Sequence, residues 1–138
     1  MGRSLARESA MKILFQMELN NDFSSDALNI FFENNSFEDD EKEYILQTVN
    51  QLNENIKIID ENIEKYAQGW KLNRIPKVDL SILRIAINEI LHRKDIPVEV
   101  SINEAINISK KYSTNESSKF INGLLGSFVR DMEHINKL

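Results

Sequence analysis

Apolar residues recur at spacings of three, four and seven along most of this chain, the period of α-helices that bury one face. In the first third, this pattern predicts a helix over residues 4–20 and a short second helix after a turn. Ser24 or Ser25 is the candidate N-cap of the second helix, because a hydroxyl there accepts from a free backbone N–H. The positions expected to face inward are Leu5, Ala6, Ile13, Leu14, Met17, Leu28, Phe31 and Phe32.

The longest apolar stripe follows an acidic run at residues 38–43. Negative charge stabilises the N-terminus of a helix, so the run favours a helix start. The stripe supports either one helix over residues 39–67 or two helices broken near Asn53. A joint between two halves of the chain is then predicted from Gly69 to Pro76, since glycine ends helices and proline suits their first turn.

The second half of the chain repeats the helical period, and it contains three predicted helices. These cover residues 76–92, 97–112 and 113–134. Ser113 and Glu116 have the spacing of a capping box at the start of the last one. Gly123 and Gly126 within it allow another backbone or a ligand to approach closely, at some cost in helix propensity.

No stretch alternates in polarity as a β-strand does, so the predicted fold class is all-α. The charge and the helical pattern both divide near Gly69. We therefore expect an N-terminal helical subdomain with a short basic arm, residues 1–69, and a C-terminal helical subdomain, residues 70–138. Each has three helices, and the two pack into one compact helical domain.

Polar residues interrupt the apolar pattern between positions 82 and 126. They are Arg84, Asn103, Glu104, Lys119 and Asn122. A helix needs no such residue in order to pack, because burying a polar group is costly unless it is hydrogen-bonded. The pattern therefore indicates either buried polar networks or a surface that reads a ligand.

The chain has a net charge of −5, which is unevenly distributed. Residues 1–69 hold 6 Lys and Arg against 14 Asp and Glu, whereas residues 70–138 hold 11 against 8. An acidic chain is a poor general binder of nucleic acid, although basic residues gathered on one face bind RNA locally. Solvated faces of mixed sign are the simpler interpretation. Arg3, Arg7 and Lys12 lie near the start of the first helix or on its polar side. Positive charge close to a helix N-terminus opposes the helix dipole, and this conflict indicates a binding role.

Composition and motifs exclude several classes. Cysteine is absent, and no signal peptide or membrane-spanning run is present, so we expect a cytoplasmic protein. His92 and His134 lack the spacing of metal ligands. No phosphate-binding loop or nucleophile elbow occurs. A role at a helix N-terminus is enough to explain Asp79, and capping of Ser101 is enough to explain Glu104. The sequence predicts no metal, no cofactor and no catalysis.

Four strings of residues resemble the NusB family of bacterial transcription antitermination factors. They are ARESAMKILF at 6–15, ILRIAINEIL at 82–91, the IPVEVSINEA pattern at 96–105 and KFINGLL at 119–125. Each string alone is weak evidence. Their order and spacing from about Arg3 to Val129 make the resemblance specific.

The resemblance implies an all-helical fold and a function without chemistry of its own. Family members bind boxA, a single-stranded element in the RNA of ribosomal RNA operons, as heterodimers with NusE, which is also a ribosomal protein. Together with NusA, NusG and RNA polymerase they suppress premature termination, notably Rho-dependent termination. A homodimer through surfaces that overlap the RNA site is also implied, and the sequence does not choose between monomer and homodimer.

The resemblance further implies an RNA site, taken position by position. Arg3 and Arg7 match an arm that contacts phosphates, a contact sensitive to salt. Asp79 matches an acidic position that accepts from an exocyclic amine of a base. Tyr66 lies near a family aromatic that stacks on a base, and a core tyrosine is the equal alternative.

The last string implies further contacts. It supplies a phosphate contact, an aromatic, an amide and a close-approach glycine, which are Lys119, Phe120, Asn122 and Gly123. Phe120 also has the helical spacing of a core residue. Glu116 lies in the region used near the protein partner, with the capping box as its other interpretation. Arg84, Asn103 and Glu104 are expected to form a polar network that ties the C-terminal helices together.

The arm departs from the family pattern, because Gly2-Arg3-Ser4 replaces two or three consecutive basic residues. Fewer phosphate contacts predict weaker RNA binding alone and greater dependence on NusE. Two alternatives stay open: an RNA-docking module like that of certain RNA cytosine methyltransferases, and a helical protein adaptor without RNA binding or antitermination activity. Because the sequence ends at Leu138, we do not expect the catalytic domain that the first alternative needs.

Overall fold

Six α-helices and one turn of 3-10 helix account for most of residues 2–136, the part of the chain that the computed structural model describes. The helices are α1 (Arg3–Asn20), α2 (Ser25–Asn34), α3 (Asp39–Tyr66), α4 (Lys77–His92), α5 (Val98–Tyr112) and α6 (Asn115–Asn136), with the 3-10 turn at Leu72–Arg74. No strand occurs within this described range, and the prediction of an all-α fold is confirmed.

The helix boundaries follow local capping chemistry. Ser24 caps α2, since its hydroxyl accepts from the backbone N–H of Ala27 at 3.3 Å. The backbone N–H of Glu38 donates to the Glu41 carboxylate at 3.0 Å at the start of α3. α3 then runs unbroken to Tyr66, which decides between the one-helix and two-helix interpretations of its stripe.

The predicted capping box of α6 is displaced by one residue. The Thr114 hydroxyl, and not that of Ser113, accepts from the backbone N–H of Ser117 at 3.0 Å. The Ser113 hydroxyl instead donates to Asp79 Oδ1 at 2.8 Å. The expectation that Ser113 and Glu116 form a capping box is therefore wrong, because a carboxylate on α4 competes for the serine.

α4 is the centre of the molecule. Every residue from Asp79 to Ile90 is buried, and α1, α3, α5 and α6 all contact this helix. A helix buried on all sides cannot have a solvated polar face, so its polar residues must find partners inside the protein. Arg84 and Glu89 find such partners on the helices that surround α4.

One continuous hydrophobic core includes helices from both halves of the chain. Its largest fully buried side chains are Phe128, Ile13, Leu14, Met17, Ile45, Leu52, Ile59, Ile63, Leu80, Ile82, Leu83 and Ile87. The division into subdomains 1–69 and 70–138 stays a prediction, since this core extends across it. Leu5 was expected to face inward and is 42% exposed, so that expectation is wrong.

Candidate nucleic-acid interface

Arg7 belongs to the interior and not to the surface. Its side chain lies beside the Glu89 carboxylate, with Nε 2.7 Å from Oε2 and Nη2 3.2 Å from Oε1, and the residue is 3% exposed. A phosphate of a bound RNA cannot reach this guanidinium. The expectation that Arg7 contacts phosphates is therefore corrected: Arg7 balances the charge of a buried carboxylate.

Glu89 accepts from further members of the same buried network. Ser101 Oγ donates to Oε1 at 2.7 Å, and the Tyr44 hydroxyl donates to Oε2. Burial raises the pKa of Tyr44, and the negative charge of Glu89 raises it further, so the phenol stays protonated. The network ties α1, α3, α4 and α5 together through hydrogen bonds.

Arg3 is exposed at the start of α1, where its guanidinium lies 5.0 Å from the centre of the Tyr44 ring. Arg93 lies 5.9 Å from the same ring and is hydrogen-bonded to Asp95. Such cation–π contacts restrain a side chain without removing its charge. Arg3 is exposed and keeps its charge, and a phosphate contact requires both.

A second group of predicted residues surrounds a pocket of about 570 Å³ near the start of α4 and α6. Its lining residues are Trp70, Ile75, Pro76, Asp79, Ser113, Thr114, Glu116, Ser117 and Phe120. Asp79 is only 2% exposed and forms part of the wall, held by the hydrogen bond from Ser113. Phe120 is half-buried, so it contributes both to the core and to the pocket.

Trp70 is a candidate site residue that the sequence did not single out. It is 55% exposed and lies between this pocket and a shallower one lined by Glu61, Glu64 and Lys65. Tryptophan is enriched at binding interfaces, because its large ring is apolar and its N–H can find a hydrogen-bond partner. A single tryptophan in a predicted loop was the available signal.

Three residues of the last string lie on the open face of α6. Lys119, Asn122 and Gly123 are all exposed. An added Cβ at Gly123 would meet no atom within 4 Å, so packing inside the chain does not require a glycine there. Any close approach at Gly123 must come from a ligand or a partner.

Tyr66 has features of both a base-stacking aromatic and a core tyrosine, the two interpretations left open for it. Its hydroxyl donates to Asp131 at 2.8 Å, and its ring meets Phe128 edge-on with centroids 5.8 Å apart. The residue is half-buried, with the Lys65 ammonium 5.3 Å from the ring centre. One part of the ring therefore packs against the core residue Phe128, and another remains accessible.

The structure brings only some of the predicted RNA-binding residues together. Asp79, Phe120 and the predicted partner residue Glu116 share one pocket. Arg3 lies at the other end of α4, near the Glu89 network. Asp79 and Glu89 are ten residues apart, about 15 Å along a helix axis. Arg3 and the pocket therefore form two separate patches of the predicted site.

The polar network expected among the C-terminal helices has different partners. Arg84 donates to Asp60 on α3 at 2.9 Å and to Glu18 on α1 at 2.6 Å. Glu104 accepts from Ser4 on α1 at 2.7 Å, and Asn103 is exposed. The expectation is wrong in its partners, because Arg84 and Glu104 tie α4 and α5 to the N-terminal helices.

Other classes of site have no support within the described residues. No helix in the range 2–136 is both long and apolar enough to cross a membrane. In the same part of the chain, no three His, Cys, Asp or Glu side chains are arranged to hold a metal ion.

The fold and the exposed groups first define a class. This is an all-helical protein with an aromatic-lined pocket beside exposed lysine and amide groups, a surface suited to single-stranded nucleic acid or a protein partner. The chain belongs to the NusB family, whose model matches residues 4–130.

Relatives are similar in sequence to this chain over nearly its whole length. The transcription antitermination protein NusB of Alkaliphilus oremlandii is 49% identical over 129 residues, covering 94% of each chain. The protein of the same name from Acetivibrio thermocellus is 48% identical, covering 94% of this chain and 90% of its own.

Two solved structures have the same fold. NusB from T. maritima matches with a TM-score of 0.86 and 37% identity, covering 94% of this chain and 92% of that one. The antitermination factor NusB in a crystal structure with NusE and dsRNA matches with a TM-score of 0.84 and 25% identity, covering 94% and 96%.

Proposed function

We propose that this protein is an RNA-binding transcription antitermination factor that acts with NusE. The observation that carries the proposal is its family membership over residues 4–130, with relatives named for antitermination that are nearly half identical. The solved complex of NusB, NusE and RNA supports it through the shared fold. Our proposal places this protein in the cytoplasm and gives it no catalytic role.

The proposed RNA is a boxA element of ribosomal RNA operons, and NusA, NusG and RNA polymerase complete the proposed assembly. In this proposal Arg3 contacts phosphates from the arm. Lys119 and Asn122 contact the RNA from α6, with Gly123 allowing the backbone to approach. Each of these residues is exposed, as such contacts require.

The pocket would supply base recognition. Phe120 and the exposed Trp70 offer aromatic faces on which a base stacks, worth roughly 1–3 kcal/mol per base. Asp79 is 2% exposed and already accepts from Ser113, so, like Arg7, it is too buried for a direct contact with the RNA and instead shapes the pocket wall. Tyr66 is a further stacking candidate through its accessible part, and Glu116 at the rim would face NusE.

The proposal is tested by fluorescence anisotropy of a labelled boxA RNA against a scrambled RNA of equal length. Both are measured at one fixed salt concentration, with and without NusE. We expect preferential boxA binding that tightens when NusE is added. No preference in either condition would overturn the proposal.

A second candidate function is a protein adaptor without RNA binding. The net charge of −5 and the single accessible arginine of the arm favour it. In that case NusE binds, boxA has no advantage over the scrambled RNA, and Arg3→Ala changes neither result. We also propose that any homodimer would cover the RNA site, which predicts that added boxA dissociates it.

A further inference from the structure

The two patches of the proposed RNA site are joined by the seam between α1 and α5, and this seam carries basic groups at its exposed edge. Ser4 Oγ lies 2.7 Å from Glu104 at one end of the seam. Near the other end, Lys111 Nζ and the Tyr112 hydroxyl both donate to Glu8, at 2.8 and 2.7 Å. The two helices therefore run side by side from the arm toward the pocket.

The far end of the seam reaches the pocket through chain connectivity. Tyr112 is followed directly by Ser113, whose hydroxyl holds Asp79 in the pocket wall. From Arg3 to Lys12 the chain advances nine residues along α1, about 13 Å of helix axis. A strand that passed from one patch to the other along this seam would cross this interval.

Two lysines occupy the interval, one from each helix. Lys12 Nζ and Lys111 Nζ each lie 5.4 Å from the centre of the Tyr112 ring. Both lysines are exposed, and the Lys111 side chain retains 61% of its accessible surface. The half-buried Tyr112 ring is therefore within cation–π distance of two ammonium groups, one from each helix.

Glu8 is the acidic group nearest these cations. Burial acts to raise the pKa of Glu8, but hydrogen bonds from Lys111 and Tyr112 outweigh burial, so its pKa lies below the ordinary value. The carboxylate is thus charged at neutral pH and neutralises one of the two lysines. Its side chain is only 18% exposed, which leaves the ammonium groups as the outer charges.

We propose that the sugar–phosphate backbone of the bound RNA follows the α1–α5 seam, with Lys12 and Lys111 as phosphate contacts beside Tyr112. The inference rests on the proposed function and extends it. It also accounts for the short arm, since phosphate contacts that the arm lacks are supplied from the seam. Such contacts position the RNA and carry no base information.

The test compares two double variants of the full chain in boxA binding across a salt series. K12Q/K111Q removes the seam charges. K42Q/K57Q is the matched control, because it changes the net charge equally and Lys42 lies in a similar contact, 5.1 Å from the Phe32 ring. Circular dichroism melts confirm that each variant is folded.

For K12Q/K111Q we expect the slope of log K against log salt to be shallower by about 0.7, the contribution of one phosphate, because Glu8 already neutralises one of the two lysines. If the curves converge at 1 M salt, this corresponds to about fourfold weaker binding at 0.15 M. The preference for boxA over scrambled RNA should not change. K12R/K111R, which keeps both charges, should restore the wild-type slope.

Equal slopes for K12Q/K111Q and the control would overturn the inference while leaving the proposed function intact. Loss of NusE binding with an unchanged RNA slope would also overturn it and make the seam a protein-binding surface. If the wild-type protein binds neither RNA, the proposed function itself fails, and this inference fails with it.

Discussion

Glu89 joins four helices through one buried hydrogen-bond network. It lies on the buried helix α4 and accepts hydrogen bonds from Arg7 on α1, Tyr44 on α3 and Ser101 on α5. A buried carboxylate with all of its partners is stable, whereas a buried charge that loses its partner is costly. The network therefore favours this one arrangement of four helices.

Glu89→Gln tests this role, since it keeps the shape of the side chain and removes its charge. The buried Arg7 would lose its close counter-charge, leaving Glu104 at 3.8 Å. We expect a loss of about 3 kcal/mol in the free energy of unfolding, at the lower end for a broken buried pair. Urea denaturation measures it, with Glu99→Gln on the exposed face of α5 as the control. A loss below about 1 kcal/mol, the range of surface pairs, would contradict the prediction.

At the scale of helices, Arg84 joins α4 to both long helices of the N-terminal half. Its guanidinium forms two parallel contacts of 2.9 Å with Asp60 and a third of 2.6 Å with Glu18. Partial burial acts to raise the pKa of Glu18, but the hydrogen bond and positive charge of Arg84 outweigh it, so this pKa is lowered. The joint between helices is therefore sensitive to acid.

The direction in which stability changes with pH follows from the lowered pKa of Glu18. The unfolded chain binds a proton at higher pH than the folded one, so the contribution to stability is complete above the ordinary pKa of 4.5 and is lost as pH falls through the folded value. Glu18→Gln should flatten the decline of stability below pH 4.5. Denaturation at a series of pH values measures it, and Glu33→Gln on the exposed face of α2 should leave the decline as in the wild type. Equal curves for all three proteins would contradict the prediction.

At the scale of the whole molecule, α4 makes the two halves of the chain depend on each other. It comes from the second half, and α1 and α3 of the first half pack against it. A fragment of residues 1–69 would expose the apolar faces that α4 covers, and a chain of about 70 residues is only marginally able to bury enough surface alone.

We therefore expect the fragment 1–69 to show no cooperative thermal transition, whereas the full chain melts in one step. Circular dichroism at two protein concentrations measures this and detects association. A cooperative melt of the monomeric fragment would contradict the expectation and support an independent N-terminal subdomain.

The helices could be predicted from the sequence because a helix depends on neighbours three and four residues away. The period of the apolar residues located all six helices of the described range, and the prolines and Ser24 set the starts of three of them. Two local predictions failed because they depended on residues that are distant in the chain. Ser113 donates to Asp79 instead of capping α6, and Leu5 is exposed instead of packing against the core.

The site was predictable in part. The residue types and spacings of the last string led to Lys119, Asn122 and Gly123, all exposed. The same reasoning placed Arg7 on the surface and overlooked Trp70, because sequence does not show whether a polar or aromatic side chain has a partner inside the protein.

The sequence by itself determined the all-α fold, most helix boundaries and the family, since each depends on local periodicity or on ordered strings of residues. Only the tertiary structure decided that Arg7 neutralises Glu89 and that Arg3 and Asp79 lie at opposite ends of α4. Only the tertiary structure places Lys12 and Lys111 beside the ring of Tyr112. The physical reason is that burial and ion pairing join residues far apart in the chain, such as Arg7 and Glu89 at a separation of 82 positions, whose proximity is created by packing.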